Sequence, residues 1–323
     1  MVNISTEKPV KKTPLILAAI YAMRPIHWVK NLALFAAIFL TGELFDKGQF
    51  INVFWGFVAF CLATSATYII NDIFDIKNDR LHPTKKFRPI ASGSLPVPIA
   101  LFTGLGLASL SLFMGATFNS LFFFLIAAYL VIQLFYSLVL KNIVILDILI
   151  IATGFIIRVY AGAFAINAHL SVWFLLCVIS TALFLASGKR RAELNLVQES
   201  NTLTRKSLDI YKKELLNSYV TMFGNASWMS WSLFTFFESP KATLPFWLVL
   251  AELSRTTTIN KLLMLTIPVT IFGIMRYEFL IFEGKSETPE RLLLTDKALL
   301  GAIAVWVALV YWILYSGVSV SGI

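Results

Sequence analysis

Charge is scarce in this chain. Charged side chains make up only 14% of the 323 residues, about half the usual share of a soluble protein. Beside 58% apolar residues, that scarcity excludes an ordinary soluble globule. Cysteine is nearly absent as well. Cys61 and Cys177 both sit inside apolar stretches, which argues against a disulfide or a metal pair and for two small buried apolar side chains. A cleavable signal pattern is also lacking. The N-terminus is polar and lysine-bearing, and the first apolar stretch runs into Arg24-Pro25 rather than a small-residue cleavage site.

What the chain has instead is a series of apolar stretches near the length needed to cross a bilayer. Nine are read, at 28–45, 50–71, 96–117, 119–140, 143–166, 170–187, 216–237, 262–282 and 298–316. They predict an all-α, polytopic membrane protein of about nine transmembrane helices around a central cavity. The expected unit is one integral membrane domain over 1–323, with 1–13 as a polar cytoplasmic tail. Residues 14–24 read as a short interfacial helix. The stretch 244–253 is too short to span and reads as a surface segment or half-helix.

The basic residues favour alternate loops. The tail and the loops after spans two, six and eight carry most of them. The intervening loops carry Lys47, none at 118 or 167–169, then Lys241, Arg255 and Lys261. The positive-inside rule puts the N-terminus and the even-numbered loops in the cytoplasm. The net charge of +9 follows mostly from this bias. It suits anionic lipid head groups and phosphorylated substrates, and needs no nucleic acid.

The most informative segment is Asn71-Asp72-Ile73-Phe74-Asp75-Ile76-Lys77-Asn78-Asp79, where the second apolar stretch meets water. In one helix Asn71, Asp72, Asp75 and Asp79 share a face. Carboxylates so close repel one another unless a cation joins them. Mg²⁺ is usually held by one or two carboxylates plus substrate phosphate oxygens, so these four are the candidate metal ligands, with the three aspartates as the catalytic set. A solvated acidic cap on a membrane helix is the bland alternative. The loop continues through Arg80, Lys85, Lys86 and Arg88, cations suited to the remaining phosphate charge. His82 reads as a turn residue.

The loop after span six opens Ser187-Gly188-Lys189-Arg190-Arg191-Ala192-Glu193-Leu194. By itself this is a topology signal. On the membrane face that also carries the acidic cluster, Lys189, Arg190 and Arg191 become candidate phosphate contacts, with Glu193 orienting one of them. Lys30 and Arg88 join that candidate set. Within span five, Asp147 and Arg158 are costly charges that face a cavity or a partner. They lie eleven residues apart, about 16 Å along a helix, so each is expected to have its own partner. An ion pair and a substrate contact are both open for them.

The order Asn71-Asp72-x-x-Asp75-x-x-x-Asp79, followed by Arg88-Pro89-x-x-Ser92-Gly93, resembles the UbiA superfamily of intramembrane prenyltransferases over nearly the whole chain. Arg24-Pro25-x-His27-Trp28-x-Lys30-Asn31, Gly188 to Leu194, Arg276-Tyr277 and Pro289-Glu290-x-Leu292-Leu293-x-x-Asp296 resemble one branch, the decaprenyl-phosphate phosphoribosyltransferases. The resemblance implies a Mg²⁺-dependent enzyme of a bacterial plasma membrane, with its site facing the cytoplasm. It implies transfer from 5-phosphoribosyl 1-diphosphate to a polyprenyl phosphate, toward arabinose donors for the cell envelope.

Most of the superfamily carries a second aspartate-rich motif after the sixth span. This chain has Lys189, Arg190 and Arg191 there, and Asp209 as the sole aspartate of that loop. That departure disfavours prenyl transfer from a prenyl diphosphate to an aromatic or lipid acceptor. It suits two phosphorylated substrates, one held through metal and one by cations. A transporter is the rival from another class, disfavoured because most charge lies at one surface rather than at the bilayer midplane. A homo-oligomer is compatible with the sequence.

Overall fold

The computed structural model describes residues 14–82, 84–200, 208, 210–238, 257–283, 292 and 295–315. The 1–13 tail, the 244–253 segment, Asp209, and residues 289–291 and 293–294 of the branch pattern lie outside the described residues. Every regular element among the described residues is helical.

Helix α1 (Leu15–Met23) ends at Arg24, whose φ of 54° breaks the helix before Pro25. A ten-residue 3₁₀ segment follows over Pro25–Leu34 and runs into α2 (Phe35–Thr41). The later helices are α3 (Lys47–Phe74), α4 (Ile76–Leu81), α5 (Val97–Phe118), α6 (Ser120–Leu138), α7 (Leu146–Ala165), α8 (Val172–Ser200) and α9 (Lys213–Phe237). A second 3₁₀ segment (Thr257–Thr266) leads into α10 (Ile267–Phe282), and α11 (Lys297–Tyr315) closes the described chain.

Local chemistry sets these boundaries. Asp46 accepts the Gln49 N–H at 2.9 Å to cap α3, and Asn119 accepts the Phe122 N–H at 2.7 Å to cap α6. Proline stands in the first turn of α5 and of α10, where its missing N–H costs nothing. Asp296 accepts the Leu299 N–H at 2.8 Å and grips Arg276 of α10 through two contacts of 3.1 and 2.7 Å. That fork draws the Asp296 carboxyl down to about 2.

All nine apolar stretches fall on helical segments. Among the described residues, seven helices are long and apolar enough to cross a membrane: α3, α5, α6, α7, α8, α10 with the end of its 3₁₀ lead, and α11. The other two expected spans differ for physical reasons. The first is the 3₁₀ segment plus α2. At about 2.0 Å per residue in the first part and about 1.5 Å in the second, the two together still reach roughly 30 Å. The other is α9, which is long but threaded with serine and asparagine. Its small hydroxyls knit it to α8: Thr181 meets Ser227 at 2.6 Å and Ser180 meets Ser230 at 3.3 Å.

α3 has 28 residues, or about 42 Å. It overshoots a hydrocarbon core of about 30 Å, so Asn71 and Asp72 at its C-terminal end project beyond the apolar layer. α3 runs along α5, and α8 along α9. The 3₁₀ segment crosses α7 at Gly162, where a Cβ would lie 1.9 Å from the Leu34 carbonyl oxygen. Only glycine permits that approach.

Candidate active site

The acidic motif does not form one uninterrupted face. α3 ends at Phe74, Asp75 takes φ −89° and ψ 2°, and α4 begins at Ile76. The carboxylates separate into two groups. Asp72 and Asp79 are 2% and 4% exposed and share Arg88. Arg88 Nη1 donates to Asp79 Oδ2 at 2.7 Å and to Asp72 Oδ1 at 3.2 Å, and Arg24 Nη2 donates to the same Asp72 oxygen at 2.5 Å. Asp75 turns toward Lys141, whose Nζ donates to Oδ1 at 2.6 Å, and takes the Asn71 amide on Oδ2 at 3.1 Å. His82 is a turn residue: its Nδ1 accepts the N–H groups of Thr84 and Lys85, both at 3.3 Å.

Asp72 Oδ2 is buried with no hydrogen-bond partner. A buried carboxylate oxygen left over from two guanidinium contacts is a suitable ligand for a hard cation. No group of three acidic, histidine or cysteine side chains among the described residues stands ready to hold a metal alone. The donor set therefore fits a divalent ion that arrives with phosphate oxygens, which is the usual habit of Mg²⁺.

A cavity of about 580 Å³ opens between the first 3₁₀ segment, α2 and α7 to α11. Its walls are almost entirely apolar, with Phe39, Phe174, Trp231 and Trp306 among them, and among the described residues its charged lining is Lys30 and Lys189. The two ammonium groups lie within electrostatic reach of each other, with Glu193 in the same field. Two like charges at an apolar wall repel, and an anion between them reverses the sign of that interaction. Gly188 lets α10 close this end of the cavity, since a Cβ there would lie 2.6 Å from Ile281.

The structure separates Lys189 from its two neighbours. Arg190 is fully buried. It pairs with Asp147 at 3.1 Å, donates to the Tyr136 hydroxyl at 3.0 Å and contacts Glu193. Arg191 donates to Asn217 Oδ1 at 2.5 Å, contacts Asn195 and stacks on Phe282. Both forks are spent on protein partners, so the expectation of three adjacent phosphate-binding cations narrows to Lys189. The cause is helical geometry: α8 continues through this run, and three consecutive residues of a helix point in three directions.

Asp147 and Arg158 have separate partners. Asp147 takes the Tyr211 hydroxyl at 2.7 Å besides Arg190. Arg158 donates to Asn31 Oδ1 at 2.6 Å, to the Tyr129 hydroxyl at 3.0 Å and to the Gly154 carbonyl at 2.5 Å. It thereby fixes the 3₁₀ segment from the side opposite the cavity. The candidate set drawn from the sequence omitted Arg24, Lys141 and Tyr211. Lys141 carried a signal, being one of only three charges between residues 96 and 166. Arg24 carried one in its place before Pro25. Tyr211 carried none.

Comparison with known proteins decides the family. The sequence profile of the UbiA prenyltransferase family matches residues 31–254, more than half of the chain. The chain belongs to the UbiA prenyltransferase family. It is 35% identical over 92% of its length to a decaprenyl-phosphate phosphoribosyltransferase from Corynebacterium glutamicum, covering 86% of that protein. A protein of the same description from Mycolicibacterium smegmatis is also 35% identical, over 91% of each chain. A UbiA homolog from Archaeoglobus fulgidus, solved with DMAPP and Mg²⁺, superposes with a TM-score of 0.67 at 15% identity, over 92% of this chain and 99% of that one. The same homolog with GPP and Mg²⁺ gives 0.67 at 16% identity, with the same coverage. These likenesses show the UbiA fold. Family membership makes the chain a transferase embedded in a membrane and removes the transporter reading.

Proposed function

We propose that this chain transfers the 5-phosphoribosyl group from 5-phosphoribosyl 1-diphosphate to a polyprenyl phosphate such as decaprenyl phosphate, releasing diphosphate. The observation that carries this reading is a pair of anion sites of different construction. One is acidic and arginine-bearing, at the end of α3: Asn71, Asp72, Asp75 and Asp79 with Arg24, Arg88 and Lys141. The other is a lysine pair, Lys30 and Lys189, at an apolar cavity. Arg24 stands just before the first 3₁₀ segment and Lys30 lies within it, six residues on, about 12 Å along its axis.

The chemistry follows from the charges. The bond between the anomeric carbon and the diphosphate oxygen breaks, and a bond from a lipid phosphate oxygen to that carbon forms. Asp72, Asp75, Asp79 and Asn71 would hold Mg²⁺, which when bound neutralises charge on the departing diphosphate. Arg24, Arg88 and Lys141 supply further positive charge at the same place. The lipid phosphate is anionic at pH 7 and needs no strong general base, so positioning dominates. Lys30 and Lys189 would hold that phosphate while the first isoprenes enter the cavity and the remainder of the tail lies in lipid. The basic loops support a cytoplasmic position for this face, where the soluble donor would be available. The relatives' names and the absence of the second acidic motif after α8 support this reading over ordinary prenyl transfer.

Purified protein incubated with labelled 5-phosphoribosyl 1-diphosphate, Mg²⁺ and a panel of polyprenyl phosphates should yield phosphoribosyl lipids by mass, and none with excess chelator. Turnover only with a prenyl diphosphate and an aromatic acceptor would replace this reading.

A further inference from the structure

Ile145, at the entry to α7, has φ 72° and ψ −47°. For a β-branched residue that is a backbone outlier, close to the strained γ-turn region. Such a conformation persists only when its surroundings impose it. Here the imposing group is visible. The Ile145 N–H donates to the Tyr211 hydroxyl at 2.7 Å, and that hydroxyl donates in turn to Asp147 Oδ1 at 2.7 Å. Asp147 is closed on its other oxygen by buried Arg190. Burial and the Asp147 carboxylate push the Tyr211 phenol well above its ordinary range, so it remains a donor. Tyr211 is 5% exposed and packs with Ile148, Ala186 and Leu194.

The strained turn ends the short connection between α6 and α7. That connection carries Lys141, which reaches Asp75 at 2.6 Å. On the other side, Arg190 is the residue after Lys189. We infer that Tyr211 is a positioning residue: its hydroxyl holds the strained turn at Ile145 and thereby sets Lys141 against Asp75, while fixing Asp147 on Arg190 beside Lys189. Tyr211, between α8 and α9 in sequence, would then serve the site through one hydroxyl. This inference rests on the proposed diphosphate site at Asp75 and Lys141.

The test uses binding of inorganic diphosphate with Mg²⁺, measured by calorimetry on the full chain in detergent. Wild type should bind, and Tyr211→Phe should bind roughly tenfold more weakly, the loss expected for two hydrogen bonds. The deciding variant is Tyr211→Phe combined with Ile145→Gly. Glycine adopts positive φ without strain, so the turn should hold without the hydroxyl and binding should return to within about twofold of wild type. If Tyr211→Phe does not survive purification, the double variant should recover both yield and binding. Equal binding by Tyr211→Phe and wild type would overturn the inference. So would a defect that Ile145→Gly fails to rescue, since that would mean Tyr211 touches the ligand or acts only on folding. Absence of binding by wild type would instead overturn the proposed diphosphate site.

Discussion

Lys189 and Arg190 are adjacent in sequence and opposite in circumstance. Lys189 faces an apolar cavity, whereas Arg190 is sealed against Asp147 with both side chains fully buried. Removing one member of a buried ion pair leaves an uncompensated charge and costs about 3–5 kcal/mol. Arg190→Met should therefore unfold at markedly lower temperature in detergent, and Arg190→Met with Asp147→Leu should recover most of that loss. Lys189→Met should keep the wild-type unfolding temperature and raise the KM for polyprenyl phosphate by roughly tenfold or more. Thermal unfolding and steady-state kinetics on the same preparations check both halves. A normal KM in Lys189→Met would remove that lysine from the phosphate site. The acidic cluster was legible because each member lies within four residues of the next, across the junction of α3 and α4. Of its cation partners, Arg88 was legible in the same loop, and Arg24 and Lys141 were not. Arg24 and Lys141 reach Asp72 and Asp75 from 48 and 66 residues away, and no local pattern encodes such a meeting.

Helices were the most legible elements, because long apolar runs in a bilayer have to satisfy their backbone internally. The exception is informative. The run beginning at Pro25 has the composition of a transmembrane helix, yet its first ten residues are 3₁₀. Runs that long are uncommon. The cause is tertiary: Arg24 is held at Asp72, Asn31 at Arg158, and the Leu34 carbonyl lies against Gly162. The tighter coil presents Lys30 to the cavity and Asn31 to α7 at once. A methyl group at position 162 would drive the two segments apart. Gly162→Ala should cost about 1–3 kcal/mol or more from overpacking and should weaken lipid-phosphate binding by displacing Lys30. Alanine at Gly106, which meets nothing within 4 Å, is the matched control and should leave both unchanged. Denaturation midpoints and acceptor KM values for the two variants test this. Equal behaviour would mean that the crossing is looser than the Leu34–Gly162 contact implies.

For the molecule as a whole, the proposed reaction depends on which side of the membrane the α3 end faces, since its proposed donor, 5-phosphoribosyl 1-diphosphate, is a charged cytoplasmic solute. α5 has 22 residues, about 33 Å of helix, enough to cross a bilayer core. Its flanks carry exposed serines at positions 92 and 120. Ser92 follows the arginine and lysine cluster, while the connection at 118–120 has no charge at all, the asymmetry of a cytoplasmic and an outer loop. Cys61 is buried and Cys177 half-buried, both within spanning helices, so an impermeant maleimide gives a low background. Ser92→Cys should react in inside-out vesicles and not in right-side-out cells, and Ser120→Cys should show the reverse. Reaction of both from one side would mean that α5 does not cross. Reaction of Ser92→Cys from outside would turn the acidic cluster away from its donor, and the phosphoribosyl reading would fall with it even if the fold stood.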